Sequence, residues 1–137
     1  MGAIAPGIVP GIKNEKRVPV TEEYTAKHLG SGSVQVLATP AMIALMERTS
    51  HEAVEPLLAQ EQTTVGVLVA VRHLAATPLG MEVRIRSELV AVDGRKLTFA
   101  VEAFDVAEKV GEGTHERYVI DLARFEERLQ RKREGKL

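Results

Sequence analysis

Apolar residues recur along this chain in two different periods, and the change of period divides it into elements. Met42, Ile43, Leu45, Met46, Ala53, Val54, Leu57 and Leu58 return at helical spacing. Thr39 and Pro40 stand at the start of that run. Threonine serves as an N-cap, and proline suits a first helical turn because its missing N–H would have no partner there. The pattern predicts one long helix from about 40 to 58, apolar on more than one face early on and buried against something large.

After the helix the period drops to two. Val65, Val67, Val69 and Val71 alternate with Gly66, Leu68 and Ala70, and His73 continues the phase of the valines. With both faces apolar, this strand is expected at the centre of a sheet. Thr77-Pro78-Leu79-Gly80 reads as a turn. Val83, Ile85 and Leu89 then alternate with Glu82, Arg84, Arg86 and Glu88, giving one dry and one wet face. Asp93-Gly94 is a strong two-residue hairpin signal, and Leu97, Phe99, Val101 and Ala103 form the return strand. A last strand is expected from about Gly113 to Ile120. Asp121 is placed to cap a short helix in which Leu122, Phe125 and Leu129 share a face. Upstream, residues 16–28 are β-prone but interrupted by Pro19, which predicts an edge strand; Gly30 to Ser33 form a flexible turn. Residues 1–15 read as an irregular arm and 131–137 as a solvated, charged tail. The order is strand, long helix, four antiparallel strands in a meander, short helix: an α+β fold whose single long helix must be covered by the sheet.

Composition narrows the function. The 137 residues predict a single domain over 1–137. At 45% hydrophobic and 27% charged, the chain is expected to be globular rather than disordered. A net charge of −1 gives no bulk attraction to nucleic acid or membrane. The absence of cysteine removes disulfides, thiolate metal sites and cysteine nucleophiles together. No apolar run approaches the ~18 residues of a membrane span, and MGAIAPGIVPGIKNEK lacks the pattern of a signal peptide. A soluble, cytoplasmic protein is expected.

Three polar residues sit in apolar, small-residue surroundings: Thr39, Glu47 and His73. Such groups are costly there unless paired or used, and they are the parts of acyl-transfer chemistry. Each also has a plainer explanation. Glu47 fits a surface position on an amphipathic helix; His51 and Glu55 extend its stripe, which suits solvent better than a metal ion. Capping accounts for Thr39, although the free amides of a helix start also favour developing negative charge. An acyl carbonyl placed there would gain stabilisation worth about 10²–10³ in rate. His73 can give a proton to a departing group or hold a carboxylate, yet a strand histidine is more often structural, and His28 and His115 are read that way. Arg72, Arg84, Arg86 and Arg95 fit phosphate groups and a solvated sheet face equally well. Thr39 and Glu47 are eight residues apart, a rise of ~12 Å and a turn of about 80° on one helix. They cannot meet directly, so a working set is expected where two chains come together.

The stretches ATPAMIALMER (38–48), VGVLVAVRHLAATPLG (65–80), VDGRKLTF (92–99) and GTHERYVIDLARF (113–125) resemble the fluoroacetyl-CoA thioesterase-like family, a branch of the hot-dog thioesterases. The resemblance implies a hot-dog fold, a curled antiparallel sheet wrapped around one central helix. It implies Thr39, Glu47 and His73 as catalytic residues, with Glu47 as base or nucleophile. It also implies Gly66 and Arg117 as substrate-binding residues, the glycine letting a backbone N–H approach the ligand. The substrate would be a small acyl-CoA, with coenzyme A as part of the substrate and no cofactor or metal. The assembly would be a homodimer, either alone or paired into a dimer of dimers, with the site at the interface. The Gly30–Ala38 stretch is shorter than in the fluorine-selective member and has no aromatic residue, and Arg48 follows Glu47 where an aromatic is the family's choice. The resemblance therefore supports thioester hydrolysis more than fluoroacetyl-CoA as substrate. Two other readings stay open: a non-catalytic acyl-CoA-binding module, and an enoyl-thioester hydratase, whose characteristic segment is not found.

Overall fold

A computed structural model describes residues 4–137; the first three residues of the expected N-terminal arm lie outside the described residues. In chain order the elements are β1 (Lys13–Pro19), a 3₁₀ turn (Glu22–Tyr24), α1 (Ala26–Leu29), α2 (Thr39–Val54), a 3₁₀ turn (Glu55–Leu57), β2 (Gln62–His73), β3 (Glu82–Asp93), β4 (Lys96–Phe104), β5 (Lys109–Asp121) and α3 (Leu122–Arg133). The arm joins the sheet sooner than expected: Gly11 donates to the Leu89 carbonyl and Leu89 to that of Ile12. The strand expected over 16–28 is shifted toward the N-terminus, and Thr25 starts a helical turn by accepting from the His28 amide at 3.3 Å. The long helix ends at Val54, because Pro56 lacks the N–H that would continue it.

The strands form one antiparallel sheet in the order β1-β3-β4-β5-β2. The expected four-strand meander is thus only partly formed. β3, β4 and β5 run in succession, while β2 pairs with β5 at the sheet's end rather than with β3. The segment after His73 is held away from a hairpin by other bonds. Leu74 donates to Val110, Leu37 donates to Thr77, and Gly80 donates to Val20. These bonds carry the chain across to β3 beside β1. β2 is therefore an edge strand, and its two apolar faces have a different cause from the central position expected for it.

α2 lies against the inner face of the sheet. Ala41, Met42, Leu45, Met46 and Val54 bury one side of the helix against Val83, Ile85, Leu89, Leu97, Phe99, Val101 and Val119. At about 25 cal/mol per Å² of apolar surface, each large side chain here contributes roughly 1.5–3 kcal/mol. Glu47 falls at the rim of this buried side, and Thr39 at its exposed start.

The register of β2 carries one irregularity that decides the site. A bulge between Gly66 and Leu68 leaves Val67 unpaired. Gly66 stands opposite Arg117, while Val65 stands opposite the exposed Tyr118; beyond the bulge Val69, Val71 and His73 stand opposite His115, Gly113 and Gly111. Gly66 and His73 are an odd number of residues apart and would face opposite ways in a regular strand. The extra residue puts both on the inner face, and separates Val65 from the phase of the later valines.

Gly113, within the GTHER segment, is required by packing. A Cβ there would lie 2.2 Å from the Ala70 carbonyl oxygen and 2.6 Å from the Val71 Cα, both backbone atoms that cannot yield cheaply. Gly113→Ala is expected to destabilise the fold by at least about 2 kcal/mol, in the range of an overpacked core, read as a lower midpoint in urea denaturation. An unchanged midpoint would show that β2 and β5 approach less closely than this.

Candidate functional site

Two polar groups form where α2 faces β2; the first combines one residue from either element, and the second also draws on β5. At the start of the helix the Thr39 hydroxyl lies 2.7 Å from His73 Nδ1. The position expected for Thr39 is corrected by one residue: Ala38 is the N-cap, and Thr39 is the first residue of the helix, with no side-chain cap bond. Its hydroxyl is thereby available to His73 instead of an α2 amide. His73 is half-buried, Nε2 has no hydrogen-bond partner among the described residues, and burial pushes its pKa below the usual 6.5. The imidazole is therefore neutral at physiological pH. This pair lines a cavity of 390 Å³ whose walls also include Ala26, Val36, Leu37, Ala38 and Ala75, and no Phe, Tyr or Trp.

Two helical turns further on, Glu47 meets β2 again. Its carboxylate crosses the bare backbone of Gly66 so closely that a Cβ at 66 would lie 2.7 Å from Oε2. The side chain keeps 40% of its surface exposed, and Arg117 Nη1 is 3.9 Å from Oε2. Arg117 is almost completely buried, and its guanidinium is heavily engaged. Nε donates to the Thr64 hydroxyl at 2.8 Å, Nη2 to the Thr64 carbonyl at 3.0 Å, and Nη1 to His115 Nε2 at 3.2 Å. His115 in turn donates from Nδ1 to the Leu68 carbonyl at 2.8 Å.

The structure thus brings Thr39 together with His73, and Glu47 together with Gly66 and Arg117. It does not join the two groups, which the helix rise alone holds ~12 Å apart. Thr64 and His115 belong to the second group and were missed as site residues. A signal for His115 was present: it lies two positions from Arg117 on β5, and the pair puts two polar residues in succession on the inner face of a strand.

Of the remaining candidates, His51 borders the second group: its Nδ1 lies 3.3 Å from the Thr64 hydroxyl and 3.4 Å from Glu55, which accepts from the Thr63 hydroxyl. Among the described residues no three His, Asp or Glu side chains gather as metal ligands. Arg84 and Arg86 face Glu15, and Arg95 faces Asp121. Asp121 stands at the start of α3 as expected, but its side chain makes no cap bond there. A further groove of 450 Å³ between β5 and α3 has Arg95, Asp121, Tyr118 and Phe125 in its walls and contains no residue of the two polar groups. No helix among the described residues is long and apolar enough to cross a membrane.

A profile of the family described as fluoroacetyl-CoA-specific thioesterase matches residues 20–123, a span that holds every residue of both polar groups. A fluoroacetyl-CoA thioesterase of Streptantibioticus cattleyicolor is 40% identical over 98 residues, 72% of this chain and 70% of that protein. The solved structure of the fluoroacetyl-CoA thioesterase FlK superposes with a TM-score of 0.85 at 34% identity, covering 92% of this chain and 98% of that one. A thioesterase superfamily member from Thermus thermophilus superposes with a TM-score of 0.88 at 28% identity, covering 95% and 96%.

Two imidazoles, one half-buried and one buried, give stability a pH dependence. His73 and His115 are both held below the usual 6.5 by burial, so as pH falls the unfolded chain takes up protons before the folded one. Their contribution is complete above about 6.5 and declines as pH drops below it. The melting temperature is expected to be level from about pH 8 to 7 and to fall between about 6.5 and 5.5, less steeply in His73→Asn. A melting temperature unchanged over that interval contradicts two neutral imidazoles in the fold.

Proposed function

Because the chain belongs to the fluoroacetyl-CoA-specific thioesterase family, we propose that it hydrolyses the thioester of a small acyl-CoA, releasing a carboxylate and free coenzyme A. The observation that carries this reading is the close approach of Glu47 to Gly66. A Cβ at 66 would displace the carboxylate from this position, and glycine leaves a half-exposed base beside a bared strand backbone. Glu47 takes a proton from water as the water oxygen attacks the thioester carbonyl. The tetrahedral oxyanion forms, the C–S bond breaks, and the departing thiolate receives the proton that Glu47 collected. With its proton on Nδ1, His73 donates to Thr39, which frees the Thr39 hydroxyl proton for the carbonyl oxygen at the start of α2. That is where partial positive charge favours an oxyanion. This route calls on no metal or cofactor. The small aliphatic walls around Thr39 and His73, with no ring from residues 30–38, suit a short, unbranched acyl group rather than selection for fluorine.

The two groups come together in a homodimer. β2 exposes Val67, Leu68 and Val69 at 54, 43 and 38% along an edge with unpaired backbone groups, whereas the other edge strand, β1, carries Lys13, Lys16, Arg17 and Pro19. Natural edges are guarded by such charges and prolines, and an unguarded apolar edge suits a second strand. A two-fold axis between Val69 and Ala70 pairs two β2 strands antiparallel and sets Gly66 of one protomer opposite the partner's His73. Each site then combines Glu47, Gly66 and Arg117 of one protomer with the partner's Thr39 and His73.

Thiol release from a panel of short acyl-CoAs tests the activity: the protein is expected to turn over, and Glu47→Gln to lose at least ~10² in kcat. Full activity in that variant would remove Glu47 from the chemistry, and saturable binding without thiol release would make the protein a binding module. Mixing Glu47→Gln with His73→Ala chains tests the composite site. Mixed dimers hold one intact site of two, so about a quarter of wild-type turnover is expected to return. No recovery after verified chain exchange would place both groups' work within one chain.

A further inference from the structure

We propose that His115 is a positioning residue for the hydrolysis, holding Arg117 against Glu47 and clamping the β2 bulge that brings Gly66 and His73 to one face. The inference rests on the thioesterase reading and deepens it. Three observations carry it. His115 is 1% exposed, yet both ring nitrogens are used: one on Arg117 of the site, the other on Leu68 beside the β2 bulge. Nδ1 faces the carbonyl of Leu68, which only accepts, at 2.8 Å. Nε2 faces Nη1 of Arg117, which only donates, at 3.2 Å. Those two partners admit a single state of the ring: neutral, with its proton on Nδ1 and a lone pair on Nε2. Finally, the ring edge borders the glycine that Glu47 crosses, since a Cβ at Gly66 would meet His115 Cε1 at 3.3 Å as well as Glu47 Oε2.

The consequence is a defined chain of contacts. Leu68 is the first paired residue after the bulge, so the Nδ1 bond fixes the strand where its phase changes. The Nε2 lone pair fixes the guanidinium branch that points toward Glu47. Protonating the ring would put a proton on Nε2 against the Nη1 donor, breaking that bond and setting two cations side by side. The groups facing the ring are Arg117 and Glu116 of its own strand, Glu47 from α2 and the uncharged Phe99 from β4, whose ring is 6.3 Å away. Burial is the largest effect and holds the imidazole neutral; the Leu68 bond opposes it, the Arg117 charge reinforces it, and the two carboxylates oppose it least. The neutral state therefore persists at physiological pH and is lost only as pH falls below the usual imidazole range.

Two variants separate the two bonds. An asparagine at 115 offers a donor near the Nδ1 position but no acceptor for Arg117. A glutamine offers a carbonyl near the Nε2 position. His115→Asn is expected to lose about 10- to 100-fold in kcat, the rate equivalent of one hydrogen bond to a charged group. Its KM should stay within about threefold, because Arg117 acts on the reacting carboxylate rather than on coenzyme A. His115→Gln is expected to recover most of that loss. A folded His115→Asn protein with wild-type kcat, or a glutamine variant no better than the asparagine one, would overturn the proposal. Should both variants fail to fold, imidazole ¹⁵N–¹H NMR of the wild-type protein decides. A neutral Nδ1–H tautomer at pH 7 supports the arrangement, and a charged or Nε2–H ring refutes it. The NMR readout does not depend on catalysis. A wild-type protein that releases no thiol from any acyl-CoA therefore counts against the thioesterase reading, whereas the wrong tautomer counts against the role of His115.

Discussion

The burial of one side of α2 against the inner face of the sheet is the constraint on which the other features depend. Met42, Leu45 and Met46 are completely enclosed, and together with Val54 they fix the rotation of the helix about its axis. Once that rotation is fixed, Glu47 has to lie at the rim of the contact and Thr39 at the open start. Neither position is free to move without withdrawing large apolar side chains from the core. The polar chemistry is therefore held by apolar packing, and Arg48, one step further round, is turned outward to solvent.

β2 supplies the complementary half, and it does so through an irregularity. A regular strand would have offered α2 either Gly66 or His73. The unpaired Val67 gives it both, at the cost of a break in the hydrogen-bond ladder. His115 and Arg117, adjacent inward positions on β5, close the gap this break opens. Their bonds run to Leu68 and Thr64 on either side of the bulge. The polar network is thus part of the sheet's own cohesion as well as of the site.

Much of this was legible in the residues. The long helix, the Asp93-Gly94 hairpin and the alternation of Val83, Ile85 and Leu89 follow from local periodicity and turn chemistry, which act over a few residues and leave a clear pattern. The family resemblance singled out Thr39, Glu47, Gly66, His73 and Arg117. What periodicity misread was β2: apolar residues on both faces suit a central strand and an edge that awaits a partner equally well. The same pattern suggested that His73 shares the phase of Val65, because a bulge has no reliable mark in a run of valines and small residues. His115 was read as an ordinary core histidine, since what distinguishes it is the identity of its two partners, Leu68 and Arg117, one of which lies 47 positions away.

By itself, then, the sequence determined the elements, the family and the short roster of residues able to do acyl chemistry. These depend on spacing, on side-chain type and on motifs contiguous along the chain. Only the tertiary structure decided the order of the strands, the hydrogen bond between Thr39 and His73, and the passage of Glu47 over Gly66. Each of these is a contact between segments far apart in sequence. It is set by how the core packs and by which backbone groups find partners, and neither is written at any single position of the chain.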